Sequence, residues 1–317
     1  MSFVHPLYEV GGVDLSYYQY PVDYDTLDPR ISFQGARLGD PEINGMIDYT
    51  YVGYSLNARL RKKPRLAYWY WRPNFSNDSQ LRALEPLVKD DWPEMGVYAD
   101  TEFNPGISKS TLSAKLDEFL NGLDSMVPIG SGEIAGLYSG ISFLNNNVDH
   151  KRIRLLEMRP KWLALVPVNI IYPPKPWAHP YGWPDIPDIW QFNWNGGALY
   201  GTPGKGREWG VSSRGLDLNV FCGTRREFEL RFNIIPTGGQ MEAIGFVASA
   251  KINMRPVPSD AFGIKVVGQL HPTGTTVPVY KTETDKKGRG LWYQISGDSQ
   301  YEIWVASWVG GKTIYAS

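Results

Sequence analysis

The stretch "MGVYADTEFNPG" (Met95–Gly106) carries the fold reading. An apolar run ends on Asp100 and Glu102, two residues apart, and a turn sequence follows at once. Side chains at i and i+2 of a β-strand share a face, with Cα atoms roughly 6.5 Å apart. Two acids on one face repel each other and lose hydration if buried, so a fold keeps them there mainly where the charges are used. A second copy of the pattern, Asp40-Pro41-Glu42, reads differently. Asp40 fits a helix N-cap, Pro41 the first helical position and Glu42 the positive end of the helix dipole. No cap reading is open to Asp100, because a strand-like run precedes it and "FNPG" turns the chain afterwards.

Short apolar runs alternate with helical patterns on both sides of that strand, over residues 1 to about 225. Strands are expected at 11–18, 31–38, 65–71, 95–102, 134–140, 162–168, 186–193 and 215–221. Helices are expected at 41–62, 78–90 and 108–124, with shorter pieces near 140–147 and 152–158. The third is the clearest: Ser108 reads as an N-cap, and Leu112, Leu116, Phe119, Leu120 and Leu123 form a stripe of helical period. Eight strands with interleaved helices predict an α/β fold, an irregular TIM-like barrel. The last three strands are separated by Pro/Gly-rich loops instead of helices. Beyond residue 225 the pattern changes to short strands and polar turns, "TETDKKGRG" reading as a charged hairpin loop. The expected division is a barrel over 1–225, a linker over 226–242 and a small all-β barrel over 243–317.

The 317-residue chain has a formal net charge of −1, so no global basic field draws nucleic acid or an anionic membrane surface. No apolar run approaches a membrane span, and "MSFVHPLYEVGGVD" is not a signal peptide. Cys222 is the only cysteine, which excludes an intrachain disulfide and a thiolate zinc site and leaves a small packing residue. The four histidines are scattered without metal-ligand spacing, and no G-x-S-x-G elbow supports a serine triad. "GTPGKGREWG" lacks the spacing of a phosphate loop and reads as surface. Aromatics cluster in "LAYWYWRP" and in "YPPKPWAHPYGWPDIPDIWQFNW". Each ring suits a core or the apolar face of a sugar about equally well.

In such a barrel the active groups sit at the C-terminal ends of the strands. Asp14 falls there on the first strand, Tyr68 and Tyr70 on the third, Asp100 and Glu102 on the fourth, and Tyr138 on the fifth. Trp190 and Gln191 fall there on the seventh, and Asp217 and Asn219 on the last. Four acids ringed by aromatics suit either a divalent cation or the cleavage of a glycosidic bond by paired carboxylates. The aromatic rim and the missing phosphate loop favour sugar.

With these pieces together, the chain resembles glycoside hydrolase family 25, the muramidases also called Chalaropsis-type lysozymes. The resemblance rests on "GVDLSYYQ", "VYADTEFNPG", "GLYSGISFLNNN", "DIWQFN" and "GLDLNVFCGT", in the family's order over residues 10 to 224. It implies a barrel of five β/α units plus three further strands. It also implies hydrolysis of the β-1,4 bond between N-acetylmuramic acid and N-acetylglucosamine in bacterial peptidoglycan, with no cofactor. Glu102 would be the general acid/base. Asp100 would stabilise the positive centre or orient the 2-acetamido group, and Asp14 and Asp217 would tune Glu102. Tyr68, Tyr70, Tyr138, Trp190 and Gln191 would contact the substrate. "YWYWRP" and the Pro/Trp-rich insert at 172–187 depart from the family pattern.

The C-terminal piece resembles bacterial Src-homology-3-type cell-wall-binding domains through "ASAKINMRPVPS", "LWYQI" and "YEIWVASWV". Tyr280, Trp292, Trp304 and Trp308 are its expected wall-binding aromatics. The whole then reads as a phage endolysin, made in the host cytoplasm and reaching the wall after lytic release. Two rivals stay open: a non-catalytic wall-binding or virion structural protein on the same fold, and a metal-dependent hydrolase using the same acids.

Overall fold

The structure is a computed structural model that describes residues 4–43, 45–128, 134–176, 178–183 and 186–234, and the strands found between 243 and 316. The chain divides into two compact units, Met1–Phe228 and Glu229–Ser317.

The first unit is built on a closed barrel of eight strands in sequence order. These are β1 (Gly11–Leu15), β2 (Phe33–Gly39), β3 (Arg65–Tyr70), β4 (Val97–Asp100), β5 (Gly136–Gly140), β6 (Lys161–Ala164), β7 (Ile189–Asn193) and β8 (Asp217–Phe221). Each falls within or against a segment expected from the sequence. Neighbours from β1 to β7 pair in parallel, whereas β8 runs antiparallel to both β7 and β1. Helices follow the first five strands: α1 (Tyr24–Leu27), α2 (Tyr51–Leu60), α3 (Asn77–Val88), α4 (Lys109–Asp124) and α5 (Ile141–Asn147). Among the described residues no α-helix separates β6, β7 and β8.

The helix α4 forms for the expected reasons. The Ser108 hydroxyl accepts the Thr111 amide at 3.2 Å, and Leu112, Leu116, Phe119, Leu120 and Leu123 are all fully buried. Burial of each such side chain stabilises by roughly 1.5–3 kcal/mol. The helix expected over 41–62 is shorter, because Gly45 and Met46 take left-handed φ values of 78° and 63° that no helix accommodates. Asp40 is therefore no N-cap. Its carboxylate accepts the Glu42 amide within a turn and pairs with Arg72 at 3.0 Å. The piece expected at 152–158 reduces to a 3₁₀ turn, His150–Arg152, with left-handed Leu155 (φ 56°) interrupting any continuation.

Strand alternation sorts the aromatics of "YWYW". Trp69 and Trp71 face the helical layer, fully buried, and their indole N–H groups donate to Gln80 and Asn77 at 3.0 Å each. Tyr68 and Tyr70 face the barrel interior. Bulky inward rings are accommodated by glycine on neighbouring strands: a Cβ on Gly136 would lie 2.3 Å from the Tyr98 ring, and one on Gly12 would lie 2.5 Å from Phe33. Cys222 packs against the core, as a small apolar residue does.

The barrel unit does not stop at residue 225. A helix, α6 (Arg225–Arg231), follows β8, and its Phe228 is buried against Phe33 and Phe221. In the second unit the described strands form three antiparallel groups. One has four strands in the order Thr276–Val279, Ala243–Val247, Lys312–Ala316, Trp308–Val309. Another has Lys281–Thr284, Leu291–Gln294 and Trp304–Ala306, and the last pairs Ile252–Met254 with Gly268–Leu270. No closed small barrel is formed by these described strands. Tyr280 lies outside the described residues. For Trp292, Trp304 and Trp308 only the strand positions are described.

Candidate active site

Alternation and register decide which side chains enter the mouth of the first unit. Asp14 on β1 lies opposite Asp217 of β8, Tyr70 of β3 opposite Asp100 of β4, and Asp100 opposite Tyr138 of β5. Thr101 extends the strand by one more hydrogen bond, its amide donating to the Tyr138 carbonyl at 2.9 Å. Glu102 therefore continues the inward alternation just past β4. The turn behind it is fixed by Asn104, whose side-chain oxygen accepts the amides of Gly106 and Ile107 at 2.9 Å each. The Asn104 amide group donates to Asn147 of α5 at 2.8 Å.

The floor is a polar network on a tryptophan pillar. Asp14 accepts the Asn219 side-chain amide at 2.7 Å, and Asn219 accepts the Trp162 indole N–H at 2.8 Å. Gln191 accepts the Tyr138 hydroxyl at 2.8 Å and donates to Asp14 at the long distance of 3.5 Å. Rings of Tyr138, Tyr68 and Tyr98 lie 4.4, 5.6 and 5.8 Å from Trp162.

The four acids are linked through Asp14 and Glu102, whose charges act on both Asp100 and Asp217. Burial raises the Asp14 carboxyl to about 6, even though Asn219, Gln191 and Tyr68 hydrogen-bond it and pull the other way. Asp100 is buried and raised well above the usual carboxylate range, first by burial and then by the charges of Glu102 and Asp14. One of its oxygens, Oδ1, is buried and has no hydrogen-bond partner among the described residues. Asp217 is raised by burial and then by Asp14 and Glu102. Glu102 is exposed by surface area, yet protein crowds its carboxylate, and that crowding plus the Asp14 charge raises it as well. Tyr70, beside Asp100 and Glu102, is pushed up to about 12, mainly by burial.

The structure thus brings together Asp14, Asp100, Glu102, Asp217, Tyr68, Tyr70, Tyr138 and Gln191. It does not bring Trp190 with them. Trp190 and Gln191 are consecutive in β7, so only one can face inward. Trp190 faces out, fully buried against His5, Tyr8 and Phe192, and donates its indole N–H to the Leu165 carbonyl at 3.0 Å. It is a core ring and offers no surface to a sugar. Asp217 reaches the mouth by a different route from the one expected. It is the first residue of β8, not the last, and the reversed strand delivers it there.

Two participants escaped the sequence reading. Trp162 is the pillar just described. Arg37 of β2 is buried, pairs with Asp48 at 2.9 Å, and its positive charge opposes the rise at Asp100. A charged residue two positions from Gly35 in the otherwise uncharged "ISFQGARL" was the available signal for Arg37. Among the described residues no three of His, Cys, Asp and Glu are placed to hold one metal ion, and no helix is long and apolar enough to cross a membrane.

The fold is similar to that of a bacterial lysozyme from Streptomyces coelicolor, with 20% identity and a TM-score of 0.53 over 71% of this chain and 98% of that one. A muramidase from Acremonium alcalophilum matches with 18% identity and a TM-score of 0.54, over 71% and 99%. The spore cortex lytic enzyme of Clostridium perfringens aligns over 98% of both chains, with 18% identity and a TM-score of 0.54. No protein-family model matches the chain, and no curated protein sequence matches it. At these identities the likeness establishes the α/β barrel fold.

Proposed function

We propose that the protein is a peptidoglycan hydrolase, an N-acetylmuramidase that cleaves the β-1,4 bond between N-acetylmuramic acid and N-acetylglucosamine. The single observation that carries this reading is the convergence of Asp14, Asp100, Glu102 and Asp217 at one mouth, every one raised above its ordinary pKa. Carboxyls crowded in this way lose their protons stepwise, so one keeps its proton toward neutral pH and can give it to a leaving oxygen while a neighbour is already ionised.

Glu102, at the open lip, is the group placed to meet the glycosidic oxygen. Its proton passes to that oxygen as the bond to the anomeric carbon breaks. Positive charge that develops on the sugar faces Asp100, whose Oδ1, without a hydrogen-bond partner among the described residues, can take the N–H of a 2-acetamido group or oppose the charge directly. Water then adds to the anomeric carbon and returns its proton to the Glu102 carboxylate. Asp14 and Asp217 act through their charge on Glu102, while Tyr68, Tyr70, Tyr138 and Gln191 line the cavity. The setting is the bacterial wall, reached as an endolysin reaches it. The second unit is proposed to bind that wall, as a Src-homology-3-type module would, through Tyr280, Trp292, Trp304 and Trp308.

The test is release of muramic-acid reducing ends from purified sacculi, with mass spectrometry of the products. Glu102→Gln is expected to lower kcat by about 10³-fold or more, since it removes the acid yet keeps the shape. Sacculi bound without new reducing ends by the unaltered protein would instead favour a wall-binding protein that does no chemistry.

A further inference from the structure

The rim of the mouth next to β1 carries a group of exposed tyrosines. Tyr18 is 61% exposed, Tyr20 57% and Tyr49 71%, and with half-buried Tyr17 they form one connected group. Ring centroids are 4.2 Å apart for Tyr17 and Tyr18, 6.4 Å for Tyr17 and Tyr49 with the planes only 16° apart, and 6.2 Å for Tyr20 and Tyr49. A scattered exposed aromatic needs no explanation, whereas a contiguous group of four does.

The group is held stiffly from below. Asp48, whose side chain is fully buried, accepts the Tyr17 amide at 3.0 Å, the Thr50 amide at 3.0 Å and the Arg37 guanidinium at 2.9 Å. Ser16 and Gln19 close the turn that presents Tyr17 and Tyr18, with the Ser16 amide donating to Gln19 at 2.9 Å. The Ser212 amide donates to the Gln19 carbonyl at 3.1 Å, tying the same turn to the β7–β8 connection. Rings fixed in this way lose little freedom when a partner lands on them.

Arg37 makes the platform continuous with the acids. Its guanidinium lies 4.6 Å from the Tyr17 ring centroid and 5.7 Å from that of Tyr18, and its charge acts on Asp100. The same strand that supplies Asp14 leads directly into the platform. A linear polymer lying over the acids has to cross the rim somewhere, and flat rings topped with hydroxyls suit the faces of pyranose units. We infer that Tyr17, Tyr18, Tyr20 and Tyr49 form a distal glycan subsite that holds sugar units of the strand beyond the bond being cleaved, making the protein selective for long strands. This inference rests on the glycosidase reading of the adjoining acids.

The experiment is a chain-length series. Glycan oligomers from tetrasaccharide to dodecasaccharide are given to the full chain and to the Tyr18→Ala/Tyr49→Ala variant, with thermal unfolding run alongside to show that both are folded. KM of the unaltered protein is expected to fall with length, and the variant's deficit is expected to grow with length to about tenfold on the longest strands. Tyr18→Trp/Tyr49→Trp, which keeps flat rings in place, should restore the length dependence. An alanine variant with the same length dependence as the unaltered protein would overturn the subsite. Binding of the same oligomers to Glu102→Gln separates the two readings. If no oligomer is cleaved by the unaltered protein, the glycosidase reading fails. Length-dependent binding that needs Tyr18 and Tyr49 would still uphold the subsite, and binding indifferent to them would remove it.

Discussion

At the pole where the parallel strands begin, buried charge is matched almost atom for atom. Arg65 gives hydrogen bonds to Asp91 at 2.7 Å, Glu94 at 2.8 Å, the Ser55 hydroxyl at 2.9 Å and the Trp92 carbonyl at 3.2 Å. Arg159, whose side chain is fully buried, reaches both oxygens of Asp124 and the carbonyls of Ala135 and Arg154. At the opposite pole, four acids share one cavity, and the nearest buried cation, Arg37, is already committed to Asp48. One pole spends its charges on holding the barrel shut. The other keeps like charges together against their repulsion, an arrangement that costs stability and that the proposed chemistry would use.

Substitutions at the two poles should therefore have opposite signatures. The largest effect belongs to Glu102→Gln, a loss of activity with the unfolding midpoint unchanged or raised. Its mirror image is Arg159→Met, which strands Asp124 without its cation. Stability should fall by about 3 kcal/mol in denaturant titrations, while kcat/KM per folded molecule stays the same. If Arg159→Met lowered activity in step with Glu102→Gln, the division of labour between the poles would be gone.

A smaller effect, of opposite sign, is expected from Asp14→Asn. The folded protein keeps the Asp14 proton up to about pH 6, whereas the ordinary value is 3.8. The proton-linked stabilisation is thus complete below about pH 4 and is lost as pH rises through 6. Asp14→Asn should flatten this decline and leave the variant more stable at pH 7 by an amount on the order of 2 kcal/mol. It should also bring the alkaline limb of kcat/KM to lower pH, because the Asp14 charge helps raise Glu102. A limb that stays put would mean that Asp14 does not tune the acid. The smallest effect is that of Tyr138→Phe. Loss of its hydrogen bond to Gln191 should cost about 1 kcal/mol in thermal unfolding, with a fall in kcat of a few-fold as Gln191 loosens.

Much of this was legible in the residues themselves. The α4 stripe, the eight strands and the acids of β1 and β4 follow from periodicity, because a buried face writes its repeat into the chain. Strand direction has no such local signature, so the reversal of β8 stayed hidden and Asp217 was placed at the mouth as if its strand ended there. Trp190 could have been sorted by alternation alone, once Gln191 was given the inward face. The ion pairs of Asp40 and Arg37 could not have been, although the charge at Arg37 itself stood out in its strand. Their partners, Arg72 and Asp48, lie 32 and 11 residues away in sequence and are brought close by loops. The extension of the barrel unit through Phe228 was hidden for the same reason, since the ring's neighbour Phe33 belongs to the second strand.

The reversed last strand also fixes where the polypeptide comes and goes. Gly11 at the start of β1 sits beside Val220 at the end of β8, and the Phe221 amide reaches the Val10 carbonyl at 2.9 Å. Gly11 and Val220 therefore both lie at the base, a strand length below the rim that carries the acids. Held at that base, the barrel would present its open side outward, and the loops around that side can be lengthened or exchanged without disturbing the β1–β8 seam.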